Sequence, residues 1–320
     1  MGDVNEIKKA LRKKTKPKPS RQCLLSTGST LLNLATSGDW RGGLDRGRYY
    51  FFVGDSSSGK TFLTLTCFAE AMQNKDFTNY RLIYDDVEGG ALMDFERFFG
   101  KKVADRIEPP AGTRETPTYS QNAEDFYFNL DSALSETEPC IYVLDSMDAL
   151  SSKYEQKKFD EKKKAAAKGV DAKGDYGDGK AKINSSGLRA CLPRLRDTGS
   201  ILIIINQTRD NINAGLFESK KTRSGGHALT FYATLELWSS VGGKLKKTVR
   251  GKDRVIGITS KIAVKKNRLT GRIKTVEIPI YYEYGIDDLG SCIDYLVTEG
   301  RGRNHKQATS RRADWVKRLR

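Results

Sequence analysis

The sequence predicts an α/β fold in which a mostly parallel central sheet is flanked by helices and followed by a late antiparallel hairpin. Three observations carry that expectation. Four short apolar runs, at 49–53, 80–84, 140–144 and 200–205, have the length and the β-branched or aromatic content of buried strands. Each ends at a polar or acidic residue, and helical patterns separate them, as expected for successive parallel units. The first run leads directly into Gly54-Asp55-Ser56-Ser57-Ser58-Gly59-Lys60-Thr61, which fits G-x-x-x-x-G-K-[ST] without a mismatch and opens a helix that runs to about Gln73.

That octapeptide has the composition needed to hold phosphates. A loop wrapped around phosphate oxygens must turn its backbone N–H groups inward, and Gly54 and Gly59 permit an approach that a Cβ would block. Lys60 is placed to reach the β- and γ-phosphates and Thr61 to offer a hydroxyl to Mg²⁺, while the following helix adds the positive end of its dipole. ATP and Mg²⁺ are therefore the expected cofactors. The strand at 140–144 delivers Asp145, an aspartate after four apolar residues, which is the usual second metal-side group of such a site.

The other elements follow in order. Residues 1–21 form a basic arm with a Lys/Pro linker, and an ATPase core is expected over 22–290. Leu31, Leu32 and Leu34 mark a short helix before the glycine-rich return to the first strand. The strand ending at Tyr84 runs into Asp85-Asp86-Val87-Glu88-Gly89-Gly90, carboxylates on the edge where ligands bind in open parallel sheets. Helices are predicted from Ala91 to Phe99, Ala123 to Leu134 and Gly187 to Leu195, and residues 151–186 read as a charged insertion whose first half could be a solvated helix. After the strand ending at Asn206-Gln207-Thr208 comes a polar loop to Gly226, then a strand from Phe231 to Trp238. Two more runs, Ile256 to Lys265 and Lys274 to Tyr282, are predicted to pair through Asn267 to Gly271, ahead of a basic tail over 291–320.

Charge is unevenly spread along the chain. The formal net charge is +16, yet residues 219–274 alone carry fifteen Lys/Arg against two acids. Such a block points to a polyanion, nucleic acid first and an acidic membrane surface second. No apolar run approaches the roughly 18 residues of a membrane span. The five scattered cysteines show neither zinc nor disulfide spacing, which fits a reducing cytoplasm. Glu88 is the best placed carboxylate to activate water, and Gln207 is placed to contact a γ-phosphate and report it to the loop that follows. Lys220, Lys221 and Arg223, in that glycine-bearing loop, are candidates for phosphate contact. Lys266 and Arg268 alternate beside the late turn, and no acid between Asp253 and Glu277 is available to pair with them locally. His227 has no acidic or cysteine partner at metal spacing.

Taken together, LSTGSTLLNLA, GDSSSGKT, IYDDVEGG, IYVLDSMDAL, IIIINQTRD, RSGGHALTFYAT, KIAVKKNRL and IYYEYGID resemble the RecA family of recombinases over about 260 residues, in a compact form similar to the bacteriophage RecA/UvsX type. The resemblance implies a DNA-dependent ATPase that forms a filament of identical subunits on single-stranded DNA and pairs it with double-stranded DNA, in a cytoplasm that is a bacterial host's if the chain is phage-encoded. It implies that Glu88 is the catalytic carboxylate, that Phe95 stacks on adenine, and that Gln207 couples nucleotide to DNA. Residues 208–228 would be the second DNA-binding loop, with Arg209, Lys220, Lys221, Arg223, Ser224, Gly225 and Gly226 as its contacts, and 151–186 would contain the first. Lys266 and Arg268 would reach the ATP of a neighbouring subunit. The sequence departs from the family in its long insertion, in its reduced C-terminal domain and in a basic tail where bacterial members end acidic. A ring-forming helicase or RadA-like motor, and a KaiC-like regulatory ATPase, use the same core and stay open as alternatives.

Overall fold

The computed structural model describes residues 23–167, 179–210 and 221–298. In chain order the elements are α1 (Thr30–Thr36), β1 (Arg48–Gly54), α2 (Lys60–Gln73), β2 (Arg81–Asp86), α3 (Phe95–Phe99), β3 (Ile107–Glu108), α4 (Ala123–Ala133), β4 (Cys140–Asp145), α5 (Lys153–Ala167), α6 (Gly179–Thr198), β5 (Ile201–Asp210), β6 (Lys221–Arg223), α7 (His227–Tyr232), β7 (Leu235–Val249), β8 (Lys252–Asn267), β9 (Thr275–Tyr281), β10 (Gly285–Ile286) and α8 (Asp288–Thr298). They form one sheet in the order β10-β9-β8-β7-β1-β5-β4-β2-β3, with β6 paired to β5. Every pair from β7 to β3 is parallel, and β8, β9 and β10 add antiparallel pairs at the other side. The predicted fold class is the observed one.

Strand β1 explains why the apolar runs are unbroken. Alternate side chains point to opposite faces, and both faces are covered. Tyr50 and Phe52 pack with Leu32 of α1 and with Leu63 and Phe68 of α2. Tyr49, Phe51 and Val53 pack with Phe126 and Leu130 of α4 and Leu188 and Leu195 of α6. Burying each such side chain contributes roughly 1.5–3 kcal/mol, so the central strands form a rigid floor under the loops at their C-terminal ends. Gly187 lets α6 approach α4, because a Cβ there would collide with the Tyr127 ring.

Several boundaries move, each for a local reason. The helix predicted from Ala91 begins only at Phe95, because the Asp86 carboxylate accepts N–H bonds from Gly90 and Ala91 and holds them in a turn, while Asp94 caps the helix. Phe231 and Tyr232 end a short helix instead of beginning a strand, and β7 starts at Leu235. Helix α6 begins at Gly179, earlier than its predicted start at Gly187, and carries Pro193 within it. The predicted tail boundary at 290/291 falls inside α8, whose Asp288 accepts bonds of 2.7 Å from both the N–H and hydroxyl of Thr30. The late hairpin forms as β8 and β9, but β8 also pairs with β7 as a long ribbon reaching Val249 and returning from Lys252. Among the described residues no helix is long and apolar enough to cross a membrane. The arm 1–21, residues 168–178 of the 151–186 insertion, residues 211–220 of the predicted second DNA-binding loop, Lys220 among them, and the tail beyond Thr298 lie outside the described residues.

Candidate active site

The parallel register brings the C-terminal ends of four strands to one edge, with Gly54 level with Gln207 and Asp86 level with Asp145. Gly54 is pressed against the Ser239 backbone, so no Cβ fits there. Gly59, at φ +88, is the cap from which α2 starts. Ser58 is buried and bonds to Ser239 at 2.7 Å, so its side chain braces the loop, while Ser56 and Ser57 are exposed. Lys60 Nζ donates to the carbonyls of Gly54 (2.9 Å) and Asp55 (2.6 Å), and burial pulls its ammonium below the ordinary lysine range against the charges of Asp145, Glu88 and Asp55.

The Thr61 hydroxyl donates to Asp145 Oδ2 at 2.6 Å, and Tyr84 donates to the same oxygen at 3.1 Å. Burial pushes the Asp145 carboxyl above the usual range, helped by the Glu88 charge and opposed by the bonds from Thr61 and Tyr84. A buried carboxylate in this condition is stabilised by a cation. Thr61 and Asp145 offer the hard oxygen donors that Mg²⁺ takes alongside phosphate and water, so the residues present fit that ion.

Glu88 stands at the same edge. Its carboxylate accepts from Ser146, and Gln207 Nε2 donates to both of its oxygens at 3.0 and 3.1 Å. Val87 and Glu88 also donate their N–H groups to the Asp145 carbonyl, fixing the turn against β4. The neighbouring acids are committed elsewhere. Asp85 is fully buried and accepts from Ser120 and Tyr142, and Asp86 caps its own turn. Glu88 is therefore the carboxylate of the cluster open to a water.

Beside the phosphate loop lies a cavity of about 400 Å³ walled by Phe62, Met93, Phe98, Ile258, Ile280, Tyr281 and Tyr282. Phe95 is not part of this wall; its ring packs against Tyr84 and Phe99. Three phenylalanines in FERFF make any of them a candidate by type, and only the helix orientation separates Phe98 from Phe95. Tyr281 and Tyr282 are legible in the sequence only as strand residues.

Residues 211–220 connect β5 to β6, whose antiparallel register pairs Asp210 with Lys221 and Thr208 with Arg223. Around this base the structure forms two clasps that sequence reasoning missed. Both carboxylate oxygens of Asp148 accept from the same Arg209 nitrogen, Nη2, at 3.0 and 3.1 Å, and Oδ1 also accepts from Ser224. Asp55, inside the phosphate loop, accepts from Lys221 at 2.5 Å and from Thr208. Burial alone pushes the Asp55 carboxyl up, but these two bonds hold it below the ordinary range. Arg223 is mostly buried, at the wall of a cavity it shares with Lys221, His227 and Lys265. It pairs with Glu236 at 3.4 Å, donates to Gly226 and Thr230 and covers the Phe51 ring at 5.4 Å. Gly225 and Gly226 have a packing reason for their type, since both have positive φ and a Cβ on either would strike Leu229 or Ala181.

Lys266 and Arg268 stand toward the opposite edge. Lys266 is paired across from Glu236, which is level with Phe51 in the middle of β1, whereas the residue level with Gly54 is Ser239. The Arg268 N–H donates to Thr234, whose own N–H donates to Tyr49 near the start of β1. Both cationic side chains donate to the Phe231 carbonyl, at 2.8 and 2.7 Å. The expectation that no acid is close to them is corrected by Glu236, although that carboxylate is taken by Arg223 and by Trp238 at 2.9 Å. Arg268 also lines a cavity of about 310 Å³ with Arg48, Arg189 and Arg196. These cations cannot serve this chain's own phosphate loop.

The description "RecA N-terminal domain" belongs to the family model that matches residues 141–287. Protein RecA of Cytophaga hutchinsonii is 30% identical over 283 residues, covering 87% of this chain and 69% of the relative. The chain belongs to the RecA family of recombinases. Protein RecA of Thioalkalivibrio sulfidiphilus is 29% identical over 86% of this chain and 71% of its own length, and that of Chlorobaculum tepidum 29% over 87% and 70%. These RecA relatives span both the phosphate-loop half and the half matched by the family model, since their coverage exceeds what residues 141–287 alone could give.

Proposed function

We propose that this RecA-family protein is a DNA-dependent ATPase that assembles as a filament on single-stranded DNA and promotes homologous pairing and strand exchange. The observation that carries the reading is the bond from Gln207 to Glu88: the carboxylate that would activate water is held by the strand that leads into the 211–220 connection. Occupancy of that connection by DNA then alters the position of Gln207, and with it the freedom of Glu88 to take a proton. Lys60 and the backbone of residues 54–61 hold the triphosphate, Thr61 and Asp145 hold Mg²⁺, which supplies charge neutralisation at the phosphates, and the wall of Phe98, Tyr281 and Tyr282 takes the base. Arg209 and Lys221 are the cations at the base of the DNA loop, with Lys220 inside it. Lys266 and Arg268 complete the site of an adjoining subunit, acting on the phosphoryl charge only when subunits are stacked. The basic arm 1–21 and the basic tail contribute contacts outside the core at 22–290.

The test is electron microscopy with single-stranded DNA and a slowly hydrolysed ATP analogue, together with a strand-exchange assay using a homologous and a heterologous duplex. Regular filaments and exchange confined to the homologous duplex are expected. Closed rings that unwind duplex without exchanging strands would overturn the reading in favour of a motor.

A further inference from the structure

Strands β5 and β6 run side by side into and out of the 211–220 connection, and two carboxylates of the core each tie one strand to the other. Thr208 and Arg209 are neighbours on β5 and so point to opposite faces. On one face Asp55 takes Thr208 together with Lys221 of β6. On the other, Asp148 takes Arg209 together with Ser224, the residue after β6. Asp55 belongs to the phosphate loop, but Asp148 does not. It lies in the turn after β4, which Lys180 of α6 pins by donating to the carbonyls of Asp148 at 3.4 Å and Leu150 at 2.5 Å.

The hold of Asp148 on Arg209 is one that a phosphate can replace. Both carboxylate oxygens share the single nitrogen Nη2, whereas a guanidinium binds phosphate best through two nitrogens in parallel. The Arg209 side chain is 59% exposed and that of Asp148 only 17%, so a phosphate can meet the arginine from solvent while the carboxylate stays in its turn. Once Arg209 leaves, Asp148 still has the charge of Lys180 acting on it through space. It therefore escapes the usual penalty of an unpaired buried charge. The backbone beside it is also held independently. Asn184 and Asn206, both fully buried, donate to the carbonyls of Gly225 and Ser224 at 2.9 and 3.4 Å, so giving up the Ser224 hydroxyl does not unfold the end of β6.

We propose that Asp148 is an internal competitor of DNA phosphate: it holds Arg209 and Ser224 in the DNA-free protein, and single-stranded DNA engages Arg209 by displacing that carboxylate. This rests on the reading of the protein as a DNA-dependent ATPase whose 211–220 connection takes single-stranded DNA. Asp148 is then a positioning residue and not itself a DNA contact. No bond among the described residues joins its side chain to Lys60, Glu88 or Asp145, so it sets how much DNA is needed, not how fast the engaged protein turns over.

The test uses the full chain, with binding of a labelled dT oligonucleotide followed by anisotropy and ATP hydrolysis titrated with the same DNA. Asp148→Asn keeps the shape of the side chain and removes its charge. It should bind the oligonucleotide about 2–5-fold more tightly, the worth of a partly exposed ion pair that no longer has to be broken. Half-maximal ATPase should come at a DNA concentration lower by the same factor, with the maximal rate kept. Asp148→Ala should show the same gain, and serves if asparagine packs poorly in the turn. In an Arg209→Ala background Asp148→Asn should bring no gain. Weaker or unchanged binding in both Asp148 variants overturns the proposal, as does a change confined to the maximal rate. An equal gain in the Arg209→Ala background also overturns it, because the carboxylate would then act by general repulsion of DNA. If the parent protein shows neither dT binding nor DNA-stimulated hydrolysis, the DNA-dependent reading falls and the proposal with it, whereas parental binding without the gain refutes the competitor alone.

Discussion

Replacing Arg223 by alanine should cost stability rather than DNA affinity. The side chains of Arg223 and Glu236 are only 14% and 7% exposed, and the guanidinium also bonds the Gly226 carbonyl and Thr230 and covers the Phe51 ring. Truncation leaves the buried Glu236 carboxylate bonded to the neutral Trp238 N–H, with the charge of Lys266 across the ladder acting on it only through space, since that ammonium donates to the Thr230 and Phe231 carbonyls. Removing one partner of a buried pair costs about 3–5 kcal/mol. Unfolding entropy of ~2.1 cal/mol/K per residue over 320 residues gives about 0.67 kcal/mol/K, so Arg223→Ala should lower Tm by about 4–7 °C. Replacing both partners, Arg223→Met with Glu236→Leu, should recover most of that loss, because no unpaired charge is left inside. Calorimetry on the three variants reads the shifts, and anisotropy with single-stranded DNA reads the salt slope. The reasoning is refuted if Arg223→Ala melts with the parent and its salt slope falls by about 0.7, since the guanidinium would then be on a DNA phosphate.

Glu88→Gln should keep ATP binding and slow turnover by about 10²–10⁴-fold, the usual contribution of a positioned general base, measured by single-turnover hydrolysis; parental rates would exclude Glu88 as the base. Asp55→Asn and Lys221→Ala should each reduce the stimulation of ATPase by single-stranded DNA, with the double variant no worse than the poorer single; additive losses would show that the two act separately. Asp145→Asn should abolish Mg²⁺-dependent nucleotide binding yet raise Tm of the nucleotide-free protein near neutral pH. The sign follows from its carboxyl standing above the ordinary range in the fold: its stability contribution is full below the unfolded value of ~4 and is lost as pH rises through the folded one, so the gain in Tm should vanish under acid conditions. Lys266→Ala with Arg268→Ala should abolish DNA-stimulated hydrolysis, and mixing this variant with Glu88→Gln protein should restore part of it, because some interfaces then hold both groups; a mixture that co-assembles and stays inactive would exclude action in trans.

The parts of the fold legible in the sequence are those where local chemistry suffices. A run such as YYFFV has no polar residue to turn to water, so it requires cover on both faces, and GDSSSGKT carries its own conformational signature. The ribbon was illegible because LKKTV and RGKDRV present few apolar side chains, and what holds them is a ladder between strands rather than a buried face. Phe231 and Tyr232 read as strand by type, yet the chain between Gly226 and Leu235 closes as a helical turn. At the site, the residues of the phosphate loop were written in the motif, but the clasps of Asp55 with Lys221 and of Asp148 with Arg209 join positions far apart in sequence. The burial of Arg223 has the same origin: nothing in KKTRSGG distinguishes it from its lysine neighbours until Glu236 is placed beside it.

The separation of the phosphate loop from Lys266 and Arg268, toward opposite edges of the sheet, has a consequence for counting. Under the proposed arrangement each molecule is half a catalyst at either end, so two copies related by a twofold axis would bury like against like and complete neither centre. Growth must be head to tail. An open row of n molecules then contains n − 1 finished centres, and a closed circle contains n. Hydrolysis per molecule should therefore climb with the length of the DNA template and level off for an open row, whereas for a circle it should be independent of template length once one circle has formed.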